Sequence, residues 1–100
     1  MNEISKVSDI TAQDIADYIR LSEVTTDDTN TLNTLLTVAK TYIMQYTGRT
    51  AEDLDNYQDF VIVVLVLCQD MYDNRTLYVD KTNLNHVVES ILNLHAVNLL

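Results

Sequence analysis

The sequence contains no proline, a single glycine and a single cysteine. Because proline and glycine interrupt regular structure, their scarcity predicts few turns and favours helices. The lone Cys68 forms no internal disulfide, which is typical of a protein that folds in a reducing compartment. Residues 1–4 lack the basic region that opens a secretory signal, so no leader is expected.

Basic residues are also scarce. Six Lys and Arg stand against 15 Asp and Glu, which gives a net charge of −9. Binding to nucleic-acid phosphates needs clusters of Lys and Arg, so this charge argues against it. The charge is compatible with a position near DNA, because a channel that passes DNA is better repulsive than adhesive. A hydrophobic fraction of 47% is typical of a globular protein, and 100 residues predict one domain with a modest core.

The longest apolar run covers residues 60–68. It is far shorter than the roughly 20 residues that a transmembrane helix needs, so it belongs in a protein interior. Its β-branched residues alone would permit a buried strand. However, apolar residues at steps of three and four continue beyond the run at both ends, which predicts a helix over about 56–75. This helix is apolar on every side at its centre and must be covered on every side, so part of the cover is expected from another subunit.

Two helical patterns precede this central helix. The first covers about residues 11–20, with Thr11 as its N-cap. The second is strongly amphipathic and begins at Thr26 or Asp27 as N-cap. It ends before Gly48, which stands in the position of a C′ glycine.

The segments on either side of the central helix are more polar. Residues 49–55 form an acidic connection, and Asp55 or Asn56 is predicted to cap the central helix. Residues 77–82 alternate enough to predict a short strand or an extended loop. Asn83 is then predicted to cap a last helix. Its inward face is predicted to contain Leu84, Val87, Val88, Ile91 and Leu92.

These patterns predict an all-α fold, a small bundle of about four helices around the central helix, in a single domain over residues 1–100. Residues 1–10 are expected to form a loosely held arm. Residues 93–100 are an apolar C-terminal tail, and this composition predicts docking on another surface.

No catalytic or metal-binding constellation stands out. His86 and Glu89 lie one helical turn apart with His95 nearby, but a metal site needs three or four converging ligands, and no HExxH or CxxC spacing exists. Cys68 lies in an apolar run without a basic neighbour, which predicts a core residue and not a nucleophile. The paired acids stand at helix starts or in loops, where capping and solvation explain them: Asp27, Asp28, Glu52, Asp53, Asp55, Asp70 and Asp73. No cofactor is expected.

The tyrosines admit two interpretations, a stacking surface or core packing with an exposed hydroxyl. Tyr42, Tyr46 and Tyr72 fall on apolar helical stripes, which favours core packing.

Three local patterns and their order resemble the head–tail connector (head-completion adaptor) proteins of tailed bacteriophages and prophages. The first pattern is an amphipathic helix ending in an aromatic–Thr–Gly–Arg turn, at residues 39–49. The second is the apolar helix that runs into Met-Tyr-Asp-Asn-Arg at 71–75. The third is the apolar ending at 91–100, and residues 10–21 also fit the opening helix of the family.

The resemblance implies an all-helical subunit of the virion, assembled as a twelve-fold ring beneath the portal vertex. Such a ring extends the DNA channel without specific DNA binding, carries the head-closure or tail protein, and contacts no membrane. The family has no catalytic residues. Its C-terminal segment reaches the portal, which implies a partner-binding role for Asn93, Leu94, His95, Ala96, Val97, Asn98, Leu99 and Leu100.

The remaining residues of the matching patterns are assigned to the geometry of helix ends: Tyr46, Gly48, Arg49, Tyr72, Asn74 and Arg75. The polar insert at 77–82 departs from the family pattern. The alternative from another class is a small acidic helical regulator, such as an inhibitor that mimics DNA. Such a mimic needs carboxylates at phosphate-like spacing on one face, whereas the acids here are scattered. An enzyme finds no support in the sequence.

Overall fold

The computed structural model describes residue 4 and residues 6–96. The helices are α1 (Ala12–Tyr18), α2 (Thr26–Thr47), α3 (Ala51–Leu54), α4 (Asp59–Asn74) and α5 (His86–His95), with single 3-10 turns at Val7–Asp9 and Lys81–Asn83. The part of the chain that the structure describes contains no strand, and the all-α prediction is confirmed.

The core forms around α4, which packs against α1, α2, α5 and the first 3-10 turn. Its buried side chains are Phe60, Val61, Val63, Val64, Leu65, Leu67, Cys68 and Met71. From α2, the buried Leu32, Leu35, Ala39 and Ile43 face them at helical spacing. The cover that the chain itself gives α4 is incomplete at Ile62, whose side chain is 51% exposed. Cover of this part of α4 by another subunit stays a prediction.

Capping boxes start three of the helices. In each, a threonine hydroxyl accepts from the backbone N–H three residues on, and the aspartate there accepts from the threonine N–H: Thr11/Asp14, Thr25/Asp28 and Thr50/Asp53. The predicted cap Thr11 is confirmed. For α2 the predicted caps Thr26 and Asp27 are wrong, since only Thr25 has an acid three residues later.

The third capping box explains a second difference. Residues 49–55, predicted as a connection, contain α3. Asp55 does not cap the central helix, because its carboxylate accepts a hydrogen bond from the Ser8 backbone N–H at 2.9 Å. Asn56 is not the cap either, and α4 begins after Gln58, whose side chain makes no capping hydrogen bond.

The same contact corrects the expectation of a loosely held arm over residues 1–10. Val7 and Ile10 are buried in the core, and the bond from Ser8 to Asp55 holds the turn between them. Burial of these two apolar side chains gives residues 7–10 a fixed position. Residues 1–3 and 5 lie outside the described residues.

The segment between α4 and α5 is neither a strand nor fully extended. The Asp80 carboxylate accepts from the backbone N–H groups of Thr82 and Asn83, which curls the chain into the second 3-10 turn. The Asn83 side-chain amide also donates to Asp80, so it does not cap α5 as predicted. The cap is Asn85, whose side-chain oxygen accepts from the N–H groups of Val87 and Val88.

Candidate functional site

Helix α5 has two apolar faces, and only one is covered. Val88 and Leu92 are fully buried against the bundle. On the other side, Val87 is 59% exposed and Leu94 is 74% exposed, with the half-buried Ile91 between them. These three residues, spaced by four and three positions, lie along one side of the helix and form what we call the outer stripe. The prediction that Val87 faces inward is wrong, because α5 lies at the edge of the bundle and packs only through its inner side.

The outer stripe carries little charge in a strongly acidic chain. Glu89 is the only acidic residue of α5, and the helix contains neither Lys nor Arg. A partner that covers the stripe would therefore displace water from apolar atoms with few charged groups to desolvate. Apolar area with little charge is the composition found at the centre of protein–protein interfaces.

Arg49 connects the C-terminal end of α5 to the rest of the bundle. Its Nε donates a hydrogen bond to the His95 carbonyl oxygen at 2.7 Å. Its guanidinium also lies 4.9 Å from the centre of the Tyr57 ring. A cation that bonds a terminal carbonyl satisfies a group that the helix leaves unpaired and complements the negative end of the helix dipole.

The His95 side chain is held from the other side. Its Nε2 lies 2.8 Å from Asp59 Oδ2. Its ring packs on Tyr57 and Phe60, with centroids 4.4 and 4.8 Å apart. Arg49, Tyr57, Asp59, Phe60 and His95 together form the C-terminal anchor, which joins the start of α4 to the end of α5.

The predicted partner-binding residues therefore have different positions. Asn93 accepts a hydrogen bond from the Tyr46 hydroxyl, and His95 belongs to the anchor. Leu94 and Ala96 are exposed. Residues 97–100 lie outside the described residues. The anchor thus presents the side chain of Leu94 outward while its neighbours hold the backbone.

Residues assigned to helix ends mostly occupy them. Gly48 adopts the left-handed conformation with φ 73°, which a glycine tolerates without a Cβ clash. Arg75 ends α4 in the same region with φ 56°, and its guanidinium lies 5.1 Å from the Tyr72 ring centre. Arg49 has a wider role than predicted, since it bonds the end of a different helix.

The tyrosines follow the core-packing interpretation in part. The Tyr42 and Tyr46 rings lie 5.9 Å apart on α2. Tyr42 is half-buried, and burial, aided by the nearby Tyr46 and Glu89, raises the pKa of its hydroxyl. Tyr46 is 38% exposed, and its hydroxyl is used by Asn93. Tyr72 is half-buried beside the exposed end of α4.

The cysteine and the two histidines lie in three different environments. Cys68 is buried in the core, and this burial raises the pKa of its thiol to about 12. His86 is exposed at the start of α5, whereas His95 pairs with Asp59. Across residue 4 and residues 6–96, no three His, Cys, Asp or Glu side chains converge as metal ligands would.

Two further apolar side chains are exposed outside α5. Leu77 and Tyr78, in the segment after α4, are 62% and 64% exposed. Together with the outer stripe, they make the C-terminal third the region richest in exposed apolar side chains.

None of the helices described above is both long and apolar enough to cross a membrane. No protein-family model, curated protein or solved structure matches the chain.

Proposed function

We propose that this chain is a head–tail connector subunit of a tailed bacteriophage or prophage. Copies assemble side by side into a twelve-fold ring beneath the portal vertex of the virion, where the ring extends the DNA channel and joins the head to the head-closure or tail protein. The order of sequence patterns described above suggests this role. The all-α fold agrees with it, and the protein acts through contacts and not through catalysis.

The outer stripe of α5 is the observation that carries the proposal. Val87 and Leu94 are more than half exposed on a helix whose inner side is fully buried. A ring subunit needs apolar surface that its own fold does not cover, because each copy presents different patches to its two neighbours. Copies of a chain with a net charge of −9 repel one another through their acidic surfaces. The low charge of α5 makes this helix a more favourable place for such a contact.

The C-terminal anchor supports the assignment of the portal contact to residues 93–100. Arg49 and Asp59 hold the backbone and side chain of His95, so this segment starts from a fixed point on the bundle. A rigid exit point lowers the conformational entropy lost when the segment binds a partner.

The arrangement of the acids disfavours the DNA-mimic alternative. Asp14, Asp28, Asp53 and Asp80 each accept hydrogen bonds from backbone N–H groups at the start of a different helix or turn. Carboxylates placed by separate helix ends do not form the regular row that phosphates make along DNA.

Native mass spectrometry of the chain mixed with the portal ring encoded near it tests the proposal. We expect one copy of the chain for each portal subunit. Failure to bind an intact portal would overturn the connector role, and binding to a purified nuclease or repressor would then favour the regulator.

Two matched double variants test whether assembly depends on the outer stripe. Val87→Asp with Leu94→Asp places two carboxylates in the stripe, and Thr37→Asp with Thr41→Asp places two on the exposed side of α2. We expect the first double variant to lose assembly on the portal and the second to retain it. Circular dichroism should show that both variants remain helical. Equal assembly by both would remove the stripe from the interface.

A further inference from the structure

A shallow apolar groove lies beside the first turns of α4. It is lined by Ile4, Gln58, Asp59, Val61 and Ile62 and has a volume of about 280 Å³. Ile62 is the one large apolar side chain of α4 that stands more than half exposed, at 51%. The groove is thus the place where a large apolar side chain of the central helix is most exposed.

The groove shares a residue with the C-terminal anchor. Asp59 lines it and also lies 2.8 Å from His95 Nε2 at the end of α5. Ala96 follows in an extended conformation, with φ −64° and ψ 132°. His95, one residue before the last described residue, therefore contacts a residue that lines the groove.

The residues beyond that point have the length and composition to fill it. Four extended residues span about 13 Å, whereas Asp59 and Ile62 are separated by about 4.5 Å along the helix axis. Three of the four, Val97, Leu99 and Leu100, are apolar. Leucine and valine side chains against Ile4, Val61 and Ile62 would remove apolar surface from water on both sides.

We propose that residues 97–100 dock in this groove of their own chain and cover Ile62. A tethered segment is favoured over a second copy, because the anchor at His95 keeps its local concentration in the millimolar range for a short linker. This docking does not depend on the connector role. A partner that binds residues 97–100 would have to displace them from the groove first.

Disulfide trapping in the full-length chain tests the docking. One variant carries Ile62→Cys and Leu99→Cys, and the matched control carries Asp73→Cys and Leu99→Cys. Asp73 is also exposed on α4, but it lies roughly 21 Å along the axis from Asp59, beyond the reach of the segment. The native Cys68 is buried and its pKa is raised to about 12, so it does not compete under mild oxidation.

We expect the first variant to form an intramolecular disulfide about tenfold faster than the control, since only its thiols would approach within the distance that a disulfide requires. Equal rates in the two variants, or no disulfide in either, would overturn the docking. A disulfide-linked dimer formed by the first variant alone would also overturn it, because the groove would then hold the segment of a second copy.

A measurement without added cysteines checks the same contact. In methyl NMR spectra, ending the chain after Ala96 is expected to shift the Ile62 methyl signals and leave those of the exposed Leu77 in place. Unchanged Ile62 signals would contradict the proposal even if the cysteine variants failed to fold.

Discussion

Helices α4 and α5 are both rich in apolar residues, but they use them differently. In α4 the apolar side chains are buried on most sides of the helix, and only Ile62 is largely open. In α5 only Val88 and Leu92 are buried, while Val87 and Leu94 face outward. The same residue types thus contribute to folding in one helix and remain available for association in the other.

The difference comes from the number of neighbours and not from composition. Helix α4 packs against three helices and the first 3-10 turn, whereas the main contacts of α5 are with α2 and α4. An apolar stripe without a neighbour adds little to the stability of the isolated chain. Exposed apolar patches of this kind often mark interaction sites.

The largest difference in stability is expected between substitutions at two positions of α5 that are two residues apart. Leu92→Ala removes a fully buried side chain and is expected to lower the free energy of unfolding by about 2–5 kcal/mol. Leu94→Ala removes an exposed one and is expected to change it by less than about 0.5 kcal/mol. Urea denaturation of the two variants and the parent measures both values. Similar losses for both would mean that the outer stripe is covered in the isolated chain.

A second test compares thiols on the two helices. The pKa of Cys68, raised from 9.0 to about 12 by burial, leaves it with about a thousandfold less thiolate at pH 8 than an ordinary thiol. In the variant Leu94→Cys, we expect iodoacetamide to modify residue 94 within minutes and Cys68 only after unfolding. Peptide mass spectrometry locates the label, and rapid labelling of native Cys68 would show that α4 opens easily.

The same thiol gives stability a pH dependence. The folded chain retains the Cys68 proton where the unfolded chain loses it, so the contribution is complete below pH 9.0 and is lost as pH rises toward about 12. Replacing Cys68 with Ala should flatten the fall in thermal stability across this interval. A fall of the same size in Cys68→Ala would assign it to other groups.

The smallest expected effect concerns how the end of α5 is held. Arg49→Met removes the hydrogen bond to the His95 carbonyl oxygen and should lower the free energy of unfolding by about 1 kcal/mol. Arg75→Met removes only an exposed contact with Tyr72 and should cost about half of that or less. Amide hydrogen exchange should show faster exchange at residues 92–96 in Arg49→Met alone. Equal exchange in both variants would mean that the anchor holds without Arg49.

Much of the fold follows from local patterns. The apolar spacing around α4, the stripe of α2 and the glycine after it were readable because helical periodicity and left-handed caps depend on residues near one another in the sequence. The missed N-caps also had a local signal, a threonine followed three residues later by aspartate, at Thr25 and Thr50.

Other features depend on which segments meet. Val87 and Val88 are identical in type and adjacent in sequence, yet one is exposed and the other buried. Residues 7–10 contain two apolar side chains that are buried in the core. Their burial depends on where α3 and α4 lie. No local pattern distinguishes these cases, because burial depends on the neighbouring helix and not on the residue.

The sequence by itself therefore determined the helical class, the central helix and the acidic character of the chain, since these follow from composition and periodicity. Only the tertiary structure decided the candidate site. It paired His95 with Asp59 and Arg49, 36 and 46 positions away in the chain, and it left the outer stripe of α5 without a neighbour. Contacts over such separations are selected by the packing of the whole bundle, which no single stretch of residues encodes.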